Sequence, residues 1–159
     1  MRTIPVEVDI DAIRAQLAQD GVAATDPKLD AALQGVVGEA SARGVEDMKI
    51  VVLDWQPESA ILTRDIAQKI LDADGGTVVI RAPQELVAVS DQYSRAAIES
   101  AQNEGIRTWD YTMGMSDFVD ELVDWTLPYA QLNLIALAVL LIIVAGLPLL
   151  WCRRARATA

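Results

Sequence analysis

The chain has 159 residues, with 23 Asp and Glu against 13 Lys and Arg, and its formal charge of −10 makes it a poor match for the phosphates of DNA or RNA. It has no histidine and one cysteine, which excludes Ser-His-Asp and Cys-His nucleophiles, histidine-bearing zinc sites, thiolate zinc clusters and any intrachain disulfide. Its apolar content of 52% is uneven, with the excess in one stretch near the C-terminus, so one soluble domain plus that stretch is expected.

In chain order, Asp9 is placed to cap a first helix to about Asp20, with Ile10, Ile13 and Leu17 on one stripe and Gly21 ending it. Asp26 before Pro27 starts a second helix to Arg43: the carboxylate accepts free amides, and proline needs no donor at the first helical position. Leu29, Leu33, Val36, Val37 and Ala40 form its buried stripe, and Gly44 suits a C-terminal cap. The run KIVVLD at 49–54 reads as a central strand buried on both faces, followed by a helix over 59–71. After Asp-Ala-Asp-Gly-Gly, read as a turn, TVVIR at 77–81 completes a right-handed βαβ unit with parallel strands. ELVAVS at 85–90 follows a short link and is expected antiparallel to it. Ser90 and Asp91 are candidate caps for a helix over 92–104, a short extended piece is expected at 106–109, and Ser116 starts a last helix reaching Pro128.

From Trp125 to Cys152 there are 28 consecutive residues without a formal charge, and Leu132 to Trp151 alone supplies 20. At about 1.5 Å per residue such a helix covers about 30 Å, the thickness of a bilayer's hydrocarbon core, with Tyr129 and Trp151 placed as interfacial anchors. Arg153, Arg154 and Arg156 follow it, whereas Asp117, Asp120, Glu121 and Asp124 precede it. By the positive-inside rule the tail is expected in the cytoplasm and the domain outside, with the opposite, tail-anchored orientation as the alternative because a long N-terminal domain is harder to translocate. Expected boundaries are a domain at 1–125, a transmembrane helix at 126–152 and a basic tail at 153–159. Without the three tail arginines, 10 bases face 23 acids, a charge of −13 that keeps the domain off anionic headgroups.

Candidate chemistry is sparse. Asp54 ends a buried strand, where open α/β sheets place functional groups, but a strand-terminating Asp satisfying loop amides is the simpler reading. Asp72 and Asp74 before Gly75 resemble the start of a calcium loop, yet its twelfth position is Pro83 where Glu is required. No catalytic residue, metal ligand or cofactor site is therefore expected. Trp55 and Trp109 fit either the core or an exposed contact, with the core preferred for large aromatics. On the helix over 92–104, Tyr93, Ala97, Ile98 and Ala101 share one arc and Arg95, Glu99 and Gln102 the other. That outer arc fits protein recognition or an ordinary solvated face. The small residues of the inner arc bury little area, so this helix is expected to be less firmly anchored than the second or third.

The capped helix ending at Arg43-Gly44, then MKIVVLD, LTRDIAQKIL and GGTVVIRAPQELVAVS, resembles the TPM domain, a small α/β domain often tethered to membranes. With VSDQYSRAAIESAQ and a C-terminal span with a basic tail, the chain also resembles a family of actinobacterial single-pass septal membrane proteins. The resemblance implies a TPM-like, receiver-like α/β sheet with helices on both faces, lying outside the plasma membrane at the division septum. It implies a non-enzymatic role in cell separation, in which the outer domain relieves the autoinhibition of an NlpC/P60-type peptidoglycan endopeptidase. The implied contact is an extra helix, carried here onto residues 92–104, with Tyr93, Arg95, Glu99 and Gln102 as partner-binding residues. Alternatives are a metal-dependent phosphatase or calcium-binding TPM domain using Asp54, Asp72 and Asp74, and a passive divisome anchor.

Overall fold

A computed structural model describes residues 8–125, together with Leu137. The expected transmembrane helix, apart from that one residue, and the basic tail lie outside the described residues. Among the described residues, no helix is long and apolar enough to cross a membrane. The domain runs α1 (Ile10–Asp20), β1 (Val22–Ala23), α2 (Pro27–Ala42), β2 (Met48–Val52), α3 (Ala60–Asp74), β3 (Thr77–Ala82), β4 (Glu85–Ser90), α4 (Arg95–Gly105) and α5 (Tyr111–Asp124). The sheet order is β1-β2-β3-β4, with the first three strands parallel and β4 antiparallel to β3.

Period-two alternation along the strands divides the core into two layers. Val22, Ile50, Val52, Val79 and Ala88 point to one face, covered by Leu33, Val36 and Ala40 of α2, Ala97, Ile98 and Ala101 of α4, and Met115 and Phe118 of α5. Ala23, Val51, Val78, Ile80 and Val89 point to the other, covered by Leu17 of α1 and Ile66, Ala67 and Ile70 of α3. The expected α/β sheet with helices on both faces is thus observed. Both crossovers step in the same direction across the sheet while α2 and α3 lie on opposite faces, so the two have opposite hands. The right-handed rule holds for only one of them.

The helix ends follow local chemistry. Asp9 accepts a hydrogen bond from the Ala12 amide at 3.0 Å, and Asp26 accepts one from the Lys28 amide at 2.9 Å. Gly44, with φ of +92°, closes α2 in a Schellman motif: its amide donates to the Ser41 carbonyl and that of Val45 to the Ala40 carbonyl.

Four expectations are corrected. Asp72 and Asp74 lie in the last turn of α3, not in a turn beyond it, because Gly75 is the cap. α4 starts at Arg95 with Ser94 as its cap, so Gln92 and Tyr93 precede the helix; the Ser90 hydroxyl instead accepts both their amides in a turn. No strand forms at 106–109, where amides at Ile106 and Arg107 still donate back into the end of α4. α5 starts at Tyr111 rather than Ser116, because Asp110 caps it by accepting the Met113 amide at 2.9 Å.

Small residues bring α4 and α5 together. A Cβ built on Gly105 would lie 2.8 Å from the Gly114 carbonyl oxygen, and one on Gly114 would lie 2.5 Å from that of Gly105. Gln102 donates to the Leu86 carbonyl of edge strand β4 at 2.9 Å, and Ser100 donates to Glu121 of α5. The two glycines and these two hydrogen bonds therefore anchor α4 against α5 and β4.

The topology gives the domain two poles. One gathers the C-terminal ends of β1–β3, the first turns of α2, α3 and α5, and the α4–α5 loop; the other gathers the strand starts, the last turns of those helices, and Trp125. The first is the strand-end pole and the second the exit pole.

Candidate functional site

The four residues singled out on the α4 segment do not form one surface. Tyr93 is half-buried at the exit pole, its hydroxyl donating to the Gly44 carbonyl at 3.4 Å. Gln102 is turned inward onto β4. Arg95 and Glu99 do face solvent, paired with each other at 2.5 Å across one helical turn. Such an exposed pair contributes little to stability and leaves each group partly satisfied.

The opposite end of the same helical layer is built differently. Arg81, on β3, points into the layer covered by α2, α4 and α5 and is only 2% exposed. Its guanidinium donates to the carbonyls of Ala82 at 2.9 Å, Glu85 at 3.1 Å and Thr108 at 3.4 Å, and lies 4.7 Å from the ring centroid of Tyr111. Burial pulls its pKa down, opposed by the phenol of Tyr111. An arginine nevertheless keeps its charge, so the carbonyl dipoles and the aromatic face compensate it. Its Nε has no hydrogen-bond partner. This one side chain joins the β3–β4 hairpin to the α4–α5 loop.

That loop carries Trp109, 86% exposed, and the first turn of α5 carries Met113, 61% exposed. The expected core placement of Trp109 is therefore corrected, while Trp55 is partly buried against the layer of α1 and α3. Ile61, in the first turn of α3, is 73% exposed. These three are the exposed large apolar side chains of residues 8–125, and all lie at the strand-end pole. Below Met113, Asp117, Asp120 and Asp124 follow on the outer face of α5, and with Glu104, Arg107 and Glu121 they line a shallow groove against α4.

The carboxylates considered for metal chemistry do not converge. Asp54 lies at the strand-end pole, beside a cleft of about 490 Å³ that also takes in Asp9, Thr25 and Trp55. Asp72 and Asp74 lie at the exit pole, one α3 length away, about 21 Å for its 15 residues. Among the described residues, no cluster of three or more potential metal ligands occurs.

Asp74 instead has a structural role. Both its oxygens accept from Arg14 of α1, each at 2.7 Å, joining two helices far apart in sequence. That hydrogen bond, aided by charge attraction, holds the Asp74 carboxyl below the usual carboxylate range despite some desolvation. With a lowered folded-state pKa, its contribution is present above the unfolded value near 3.9 and is lost as pH falls through the folded value. Asp74→Asn should accordingly lower the melting temperature at pH 7, with the gap to the parent protein closing below about pH 4 in thermal melts across pH.

A family model described as "Membrane protein Rv1476" matches residues 3–159. The membrane protein Rv1476 of Mycobacterium tuberculosis (strain ATCC 25618 / H37Rv) is 32% identical to this chain over 154 residues, which cover 96% of the chain and 81% of that relative. No solved structure matches the chain.

Proposed function

Because the chain belongs to the Rv1476 family of membrane proteins, we propose that it is a single-pass, membrane-anchored regulator that binds and activates an autoinhibited NlpC/P60-type peptidoglycan endopeptidase during cell separation. In this reading the domain is TPM-like and extracytoplasmic, the tail is cytoplasmic, and the protein works at the septum without chemistry of its own. The observation that carries it is the closure of a complete two-sided core within one unit that ends at Trp125, where the 28-residue uncharged run begins. A folded module followed directly by such a run supports the reading of a tethered domain. The acidic module and the three arginines beyond the run supply the charge asymmetry for an outward orientation.

Activation is a matter of differential affinity. A domain that binds the open form of the endopeptidase about 100-fold more tightly than the closed form shifts their ratio by the same factor, about 2.7 kcal/mol, with no covalent step.

Residues 1–125, added to the autoinhibited endopeptidase and a peptidoglycan peptide, should raise the rate of cleavage. An unchanged rate would remove the activator role and leave the passive anchor. In spheroplasts, external protease should digest the domain, and full protection would place it on the wrong side of the membrane for any wall enzyme.

A further inference from the structure

We infer that Trp109 and Met113, at the strand-end pole, are the anchor of the partner-binding surface, and that this surface takes a basic amphipathic helix of the endopeptidase. The inference deepens the activator reading and rests on it for the identity of the partner.

A tryptophan with 86% of its surface in water is an apolar area left unburied by folding. Interface energy concentrates in such anchors, tryptophan above all, when they enter a pocket on the partner. Trp109 is also held on a firm mount. On one side of it the Thr108 carbonyl accepts from buried Arg81, and on the other Asp110 caps α5. Behind it, α4 and α5 cross at Gly105 and Gly114 with no room for a Cβ. An anchor already fixed loses little conformational freedom on binding.

The chemistry of the occupant follows from what lies below the anchor. Met113, Asp117, Asp120 and Asp124 recur at helical spacing on the outer face of α5, so an apolar residue heads a column of three carboxylates that spans about 10 Å. Glu104 and Glu121 flank it, whereas the cations in reach are Arg107, paired with Glu104, and Arg43, paired with Asp120. A surplus of carboxylates beside an apolar anchor matches a helix that presents an apolar side chain at one end and Lys or Arg along about two turns of the same face. The Arg95–Glu99 pair, by contrast, lies toward the exit pole and satisfies itself.

The test uses the full chain in detergent micelles and the full-length autoinhibited endopeptidase, with binding measured calorimetrically and cleavage measured separately. Trp109→Ser should weaken binding by about 30-fold, as expected for an interface hot spot, with its melting temperature unchanged because the side chain is exposed. The double variant Asp117→Lys and Asp124→Lys should also bind more weakly and lose most of the salt dependence, while Arg95→Glu stays within about twofold of the parent. Binding that is untouched by both surface variants, or lost only with Arg95→Glu, overturns the proposed surface even if cleavage is stimulated. Binding that depends on Trp109 but leaves cleavage unstimulated supports the surface and overturns the activator role. If the parent chain does not bind the endopeptidase, both are overturned.

Discussion

Gly76→Ala should lower the unfolding free energy of the domain by about 3 kcal/mol, from two independent costs. Gly76 has a φ of +87°, where an L side chain is strained by about 1–2 kcal/mol. Its added Cβ would overlap the Asp47 carbonyl oxygen and stand 2.7 Å from the Asp47 Cβ, and neither is a flexible end able to swing away. Asp47 cannot retreat cheaply. Its own φ is +50°, and its carbonyl accepts from the Thr77 amide at 3.1 Å, at the point where β2 and β3 begin side by side. Gly35→Ala provides the contrast, since nothing lies within 4 Å of that added Cβ inside α2, and alanine there should stabilise by about 0.5–1 kcal/mol. Urea unfolding of the two variants should therefore move the midpoint in opposite directions. Equal midpoints would refute the tight crossing at Asp47.

Arg81→Ala should cost about 4 kcal/mol, within the range for large buried side chains and for broken buried polar networks. The variant loses three hydrogen bonds to carbonyls and the stack on Tyr111, and leaves a void between the hairpin and the α4–α5 loop. Part of the native arrangement is nevertheless unfavourable, because the charge is desolvated and its Nε is unpaired. Arg81→Met fills most of the space and removes the charge, so it should recover about 2 kcal/mol of the loss. Hydrogen exchange in the loop around Thr108 should quicken in both variants, because neither side chain can donate to its carbonyl. An alanine variant as stable as the parent would mean that the guanidinium does not hold this end of the molecule together.

Most of the fold was legible because its signals are local. Asp9, Asp26 with Pro27, and Gly44 announce helix ends through hydrogen bonds made within a few residues, and ELVAVS occupies the span of β4 without a shift. β1 was missed because two residues carry no period; Val22 and Ala23 are a strand only by pairing with Ile50 and Val51. The start of α4 was misplaced because Ser90, Asp91 and Ser94 offer the same capping chemistry within five residues. What decides among them is non-local, since the Ser90 hydroxyl already lies 2.8 Å from that of Thr77 across the hairpin. For Trp109 the average behaviour of aromatics only tilts an open choice toward the core, whereas the side chain is exposed beside Thr108, whose carbonyl accepts from Arg81 far back in the sequence. That arginine did leave a trace, as the one charge in an otherwise apolar strand.

α5 runs the whole height of the domain, from the loop bearing Trp109 to the residue where the compact unit ends. A load borne by α5 is therefore shared along its full length. Its Phe118, Val119 and Leu122 are interlocked with the core, so yielding would require many contacts to shear at once, not a terminal strand to peel away. α5 is thus a continuous rod between the two poles, and a force on either of its ends is shared by the whole helical layer it packs in.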